Sequence, residues 1–501
     1  MKKSVFRNGI LGAFLALGAF AQAQQDSNVF FNREFWGSKP SIETVDMQIK
    51  EGNDPAQLNE RSFDAVTMAI LAEVPNATIL HLLKQEGNDV NKLTHDGRTY
   101  IFWAANKGNV ELMEYLLTQG AKIDVLDNHG HSVLNFAAAT GQNNTKVYDL
   151  CLANGAKLTD LDHHGANALL LVSQRAQDFT TINYFTSKGI DLNSKDADGN
   201  GIFNYVAKSG NTDMLDQLIA KGVDYKNLNN EGGNAMIFAS AGGRGASNGL
   251  DVFKYLEGKG IKANVTTKNG LTPLHGLAGK SKDVAVINYF LAKGVNVNQA
   301  DENGNTPFLN AAGRNDLAIV TLLQKEVKNI NVTNKKGESA LALAVKKNTT
   351  DVVSFLIEKG ADVHVVDANG NNLTVYLINS FSPRNKADFN SKLELLSSKG
   401  LDVSKAQLDG NTLYHLALDH KGFELLKLAK QYKVDINAKN KEGITPLLKS
   451  AMSAKNDAVL KYLLENGADK TITTEFEETA YDLASENELL KANDVNINFL
   501  K

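Results

Sequence analysis

The stretch Asp301-Glu302-Asn303-Gly304-Asn305-Thr306-Pro307-Phe308 decides how the chain is read. An Asp that opens a turn can accept hydrogen bonds from the turn's own backbone, and a Gly three residues on tolerates the positive φ that closes it. Thr306 follows two residues later, where a side-chain oxygen can cap the free amides of a starting helix. Pro307 suits the first helical position, because its φ is already fixed and its missing N–H would have had no partner there. The segment predicts a turn that feeds a helix.

The turn glycine recurs at Gly97, Gly130, Gly165, Gly199, Gly232, Gly270, Gly304, Gly337, Gly370, Gly410 and Gly443, mostly 33–35 residues apart. Two residues after it, or in phase with it, stand Thr99, Ser132, Asn167, Thr272, Ser339, Thr412, Thr445 and Thr479, with Pro273 and Pro446 behind two of them. Ala104, Ala137, Ala239, Ala311, Ala344 and Ala417 then let neighbouring helices approach closely. Gly108, Gly210, Asn315 and Asn348 come next and predict a left-handed helix end. A second helix carries apolar residues at helical spacing, as in Leu112, Met113, Leu116 and Leu117, or Val352, Val353, Leu356 and Ile357. A Gly and an extended stretch close the unit, as in Gly360-Ala361-Asp362-Val363. With a period near 33, each unit buries its apolar face only against its neighbours, so the fold class is an all-α repeat solenoid.

These D-x-x-G turns, the T-P-L-H of Thr272 to His275 and the G-A-D-V of Gly360 to Val363 resemble the ankyrin repeat. The tetratricopeptide repeat has a similar period but lacks the Gly turn and the extended link. The ankyrin resemblance implies about 12–13 helix-pair units joined by β-hairpin-like turns, with caps at both ends. Residues 24–61 read as an N-terminal half-repeat in which Phe30, Phe31, Phe35 and Trp36 cover the first core face. The array follows over 62–474 as one continuous body. Residues 475–501 read as a C-terminal capping repeat and tail, with Glu477 in place of the turn Gly.

The resemblance also implies a non-enzymatic scaffold that binds a protein partner along a concave face of turn tips and first helices. The residues after each turn Gly vary, as expected of a ligand-facing set: Arg98, His131, Asn200, Leu271, Asn305, Glu338, Asn371, Asn411 and Ile444. Two insertions, 242–249 and 380–390, are expected as loops between the helices, with Arg244 and Phe381 as further partner contacts. No phosphate-binding P-loop, G-x-S-x-G elbow, H-E-x-x-H or paired C-x-x-C is present.

Five histidines fall at the tips of three consecutive turns: His95, then His129 and His131, then His163 and His164. Two readings stand. The tips use His as a solvated polar residue, or neighbouring imidazoles converge on a transition metal or haem. His275 and His415 hold the T-P-L-H position, for which the resemblance implies a structural role. Trp103, Phe136, Tyr205, Phe238 and Tyr376 share one phase of the first helix and are expected in the core, with the Tyr hydroxyls within reach of the groove. Cys151 aligns with Leu116 and reads as a buried small hydrophobe; one thiol cannot close a disulfide within its chain.

With 53 basic and 57 acidic residues and no sustained run of either sign, the chain lacks the basic footprint of a nucleic-acid binder. Three cations lie within the first seven residues, an apolar run follows, and Ala21-Gln22-Ala23 offers a cleavage site. This resembles a bacterial export signal and predicts a periplasmic or secreted protein cut after Ala23. The apolar run is too short to span a bilayer, and no later stretch is longer. A monomer without a cofactor is expected. N-terminal sequencing of the exported protein should begin at Gln24; an exported chain still starting at Met1 would contradict cleavage.

Overall fold

Every turn glycine from Gly97 to Gly443 takes a positive φ, between +71° and +83°. A second constraint acts on several of them. A Cβ at Gly337 would lie 2.5 Å from the Ala368 amide nitrogen, and one at Gly304 would lie 2.8 Å from that of Lys335. These two turns are packed against the backbone of the next, so glycine is demanded there by space as well as by dihedral angle.

The computed structural model describes residues 28–243, 247–420 and 423–501. The export signal at 1–23 and Arg244 lie outside the described residues. Contacts divide the chain into two units, one ending at Ala239 and one beginning at Ser240, where the sequence suggested one continuous body.

In the second unit the repeat containing Asp301 to Phe308 is built as expected. The Thr306 side chain accepts from the Leu309 amide at 3.2 Å and starts the helix Pro307–Arg314. Asp316 accepts from Ile319 and starts the helix Leu317–Gln324. First helices pack on first helices: Pro307–Arg314 lies between Pro273–Ala278 and Ala340–Lys347. Second helices do the same, with Leu317–Gln324 between Val284–Ala292 and Thr350–Glu358. Phe308, Leu309, Ala311, Ile319, Val320 and Leu323 fill the layer between them and are fully buried.

The first unit repeats the scheme in helix pairs such as Tyr100–Asn106 with Val110–Thr118 and Val133–Ala139 with Thr145–Ala153. Leu112, Met113 and Leu116 are buried, and Cys151 takes the Leu116 position one repeat on, also buried. Burial pushes its thiol up to about 12, which leaves it inert as a nucleophile. At the N-terminal end, the short helix Arg33–Gly37 precedes Ile42–Lys50. Phe30 and Trp36 are buried and stacked at 5.6 Å, and the Trp36 indole donates to the Phe30 carbonyl at 2.7 Å.

Three details differ from the sequence reading. Gly108 and Gly210 do adopt positive φ, but Asn315 and Asn348 end their helices in extended conformation. Their side-chain amides instead tie one repeat to the one before. Asn315 donates to the carbonyls of Ala278 and Ser281 at 2.9 and 2.8 Å, and Asn348 to those of Ala312 and Asn315. The insertion at 380–390 is helical over much of its length, extending a second helix to Lys386–Ser398, 13 residues. A Ser382–Asn385 cap starts it, and Lys392 is buried against Asp388 at 2.8 Å. Finally, the turns form no strands among the described residues, only two isolated antiparallel bridges, Lys195 with Gly201 and Thr333 with Ser339. No described helix is long and apolar enough to cross a membrane.

The two demands on the turn glycine can be separated. Gly337 and Gly360 both have positive φ, but a Cβ at Gly360 would meet nothing within 4 Å. Gly337→Ala and Gly360→Ala should each lose about 1 kcal/mol to left-handed backbone. Gly337→Ala should lose roughly 1 kcal/mol or more beyond that for overpacking. Urea denaturation compares them, and equal midpoints would contradict the close approach.

Candidate partner-binding surface

Within each turn, the opening Asp, Asn or Thr ties down its own loop. The Asp301 carboxylate accepts from the amides of Asn303 and Asn305, both at 2.8 Å, and its amide donates to the Asn305 carbonyl at 2.9 Å. Between turns a backbone rung repeats. In the first unit Asn128 donates to the Asp96 carbonyl, Ala197 to His164 and Asn230 to Asp198, all within 2.9 Å. In the second, Glu302 donates to Asn269, Lys335 to Asn303, Ala368 to Lys336 and Lys441 to Asp409, again within 2.9 Å. At the lengthened repeat the rung slips by one residue, so that Leu408 donates to Gly370 at 3.2 Å.

This ladder decides which side chains face outward. The residue after the turn Gly points along the ladder. Asn200 is buried; it donates to Asp196 at 2.8 Å and accepts from Asn229 at 2.8 Å. Asn305 and Asn411 accept from Asn334 and Asn440 in the same way, each at 3.0 Å. Asn371 donates to Asp367, and Glu338 accepts from Asn334. Arg98 is buried too, with Nε 2.8 Å from Asp127 Oδ2 and its guanidinium 4.2 Å above the Phe136 ring. Arg98 and Asn200, expected to meet a partner, are therefore structural links, and the polar members of their set serve the ladder. Leu271 and Ile444 are half-buried and apolar, and Phe381 packs edge-on against Phe389 at 5.1 Å.

The exposed positions are the two tip residues between the opening residue and the Gly. They are Asn128 and His129, Ala197 and Asp198, Glu302 and Asn303, Lys335 and Lys336, Ala368 and Asn369, Lys441 and Glu442. The sequence carried a signal for this, since an Asp that caps its own turn leaves the side chains of the two residues inside the loop without a part in the turn.

Two of the histidine tips meet at a carboxylate: His95 Nε2 and His129 Nε2 lie 3.5 and 3.3 Å from Asp96 Oδ2. The His95 ring stacks on Phe63 at 4.6 Å, and its Nδ1 lies 2.9 Å from the Arg61 carbonyl. His131 sits between Asp127 and Asp162 at 3.3 and 3.8 Å. The His163 ring occupies the space over Gly130, and His164 is exposed. Among the described residues no three His, Cys, Asp or Glu side chains are grouped to hold a metal ion.

His275 and His415 have the structural role implied for them. The Thr272 amide donates to His275 Nδ1 at 3.0 Å, so Nε2 carries the proton and donates to the Asn305 carbonyl at 3.1 Å. His415 repeats this with Thr412 and the Ile444 carbonyl. Burial holds both imidazoles below their usual range. The Tyr hydroxyls do not reach a groove: Tyr205 donates to Asp196 at 2.7 Å and Tyr376 to Asp367 at 2.8 Å.

A family profile described as Ankyrin repeats (3 copies) matches residues 42–162, 244–333, 308–380 and 384–474. The chain belongs to the ankyrin-repeat family. Between the first two matched stretches the same ankyrin helix pairs continue, as Ala168–Ser173 with Thr180–Ser187 and Ile202–Ser209 with Thr212–Ala220. The ADP-ribosylation factor GTPase-activating protein AGD4 of Arabidopsis thaliana is 31% identical over 98 residues, 20% of this chain and 12% of that protein's length. Ankyrin repeats form protein–protein interaction domains and are generally non-enzymatic.

The link between Arg98 and Asp127 is a buried charged rung, with the guanidinium 2.7 Å from the carboxylate. Burial alone would raise the Asp127 carboxyl, but hydrogen bonds from His131 and Arg98 and the Arg98 charge hold it well below the usual range. Arg98→Ala leaves a buried carboxylate without its cation and should cost roughly 3 kcal/mol at pH 7. Because the folded carboxyl is depressed, the rung contributes fully above the ordinary Asp pKa of about 3.9 and less as pH falls further. Urea titrations of both proteins at pH 7 and pH 3 check this, and a pH-independent difference would contradict it.

Proposed function

We propose that this ankyrin chain is a non-enzymatic adaptor that binds a protein partner through its exposed turn tips and the open side of its first helices. The observation that carries this reading is the division of labour in the turns. One backbone scaffold, fixed by the ladder, presents pairs of side chains that differ from repeat to repeat: Glu302 and Asn303, then Lys335 and Lys336, then Ala368 and Asn369. A constant frame with variable outward residues suits recognition of a macromolecular surface. The half-exposed Leu271 and Ile444 belong to this proposed face, and the buried Arg98 and Asn200 do not. Export to the periplasm or beyond, from the N-terminal signal, would place the partner in the same compartment.

Replacing Glu302, Asn303, Lys335, Lys336 and Asn369 by Ala keeps every ladder bond, since none of these side chains carries one. The quintuple variant should keep its unfolding transition and lose at least tenfold in affinity for a partner captured with the parent protein. Undiminished capture would remove this face from consideration.

A further inference from the structure

One row of the first helix, nine residues past the turn-opening residue, lines the open side of the array. In the first unit it reads Trp103, Phe136, Leu171, Tyr205 and Phe238, large side chains that close the surface. In the second unit the row breaks at Gly276 and Asn310 and resumes at Leu343. A concavity of about 270 Å³ opens there, floored by Gly276, Gly279 and Gly313.

Lys280, Arg314 and Lys347 line the same concavity, one per repeat and in identical register. All three are exposed. Lys280 Nζ donates to the Ala241 carbonyl at 2.8 Å. Arg314 and Lys347 have no ion pair or hydrogen bond with any described residue. The lining carboxylate, Glu338, accepts from Asn334 at 2.9 Å and pairs with none of the three cations. The pocket thus holds surplus positive charge on a chain whose net charge is −4.

A cation at a helix C-terminus can simply complement the helix dipole. The register does not require one, however, for other repeats carry Thr140, Ser209, Ser380 and Ser453 there. Lys107, at the same position, is neutralised by Glu73 at 2.5 Å, and Arg175 stands there singly, between repeats that carry Thr140 and Ser209. Three consecutive cations occur only where the row of large side chains breaks at Gly276 and Asn310.

We propose that this pocket binds an extended acidic segment of a protein partner, with carboxylates paired to Lys280, Arg314 and Lys347. The proposal rests on the adaptor reading and adds the chemistry of the partner. Adjacent helices stand roughly 10 Å apart, and an extended chain in the polyproline II conformation advances about 3.1 Å per residue with three residues per turn, so every third side chain falls on one side. An acidic residue at every third position therefore meets each cation in turn, whereas one small anion cannot span the row.

The test uses the full chain and a fluorescein-labelled peptide with glutamate at every third position and glycine and serine between, read by fluorescence anisotropy. The peptide should bind, and binding should weaken as salt is raised. Arg314→Ser with Lys347→Ser introduces residues that other repeats carry at this position and should weaken binding tenfold or more. Asn310→Tyr restores the ring found at Tyr205 and Tyr376, fills the concavity and should weaken it similarly with circular dichroism unchanged. Lys254→Ser, on the exposed side of the second helix Leu250–Gly258, should leave binding unaltered. No binding to the parent chain, or equal binding by these pocket variants, overturns the proposal. Displacement by millimolar inorganic phosphate would assign the pocket to a small anion and overturn it as well. If partner capture still depends on the turn tips while the acidic peptide fails to bind, the pocket assignment falls and the adaptor reading stands.

Discussion

The amide-to-carbonyl bond from one turn to the next is the constraint on which the rest depends. Helix pairs that bury apolar faces against neighbours could slide along each other, because dispersion and hydrophobic burial are not directional. The rung from Lys335 to Asn303, or from Asn128 to Asp96, fixes that freedom at one edge. Asn315 and Asn348 fix it at the far end of the first helix by donating back to the preceding repeat. The layers that carry Asn315 and Asn348 are thus pinned at both ends of their first helices, and the apolar residues between fill a space whose height is already set.

The same rung makes sense of the turn composition. A carboxylate or amide at the opening residue must satisfy the loop amides, so Asp, Asn or Thr stands there in nearly every repeat. The residue after the Gly is drawn into the ladder whenever it can hydrogen-bond, as Asn200, Asn305 and Asn411 are. What remains outside are the side chains of two tip residues per repeat, whose backbone alone carries the ladder, and one row of the first helix. The proposed recognition surface is made of those positions, which the geometry of the stack leaves open.

Much of this was legible in the sequence. The Gly period, the Thr306 and Ser132 caps, and the apolar pairs of the second helix fix the fold class, because each reports a local requirement of backbone or burial. The direction of Arg98 and Asn200 was not, since it depends on which group of the next repeat lies within reach. Nor was the helical form of the 380–390 insertion, which follows from a Ser382–Asn385 cap and from the Thr350 amide reaching Asp388 at 2.9 Å. The broken aromatic row at Gly276 and Asn310 was readable as a pattern, yet its meaning appears only once Lys280, Arg314 and Lys347 are found around the same hollow.

Native-state hydrogen exchange tests the ladder most directly, because a bonded turn amide and a solvated one differ by orders of magnitude in protection. The amides of Asn128, Ala197, Glu302, Lys335 and Ala368 should exchange as slowly as those inside the first helices of their own repeats. Exchange of these tip amides at the rate of free loops, with the helices still protected, would contradict the account.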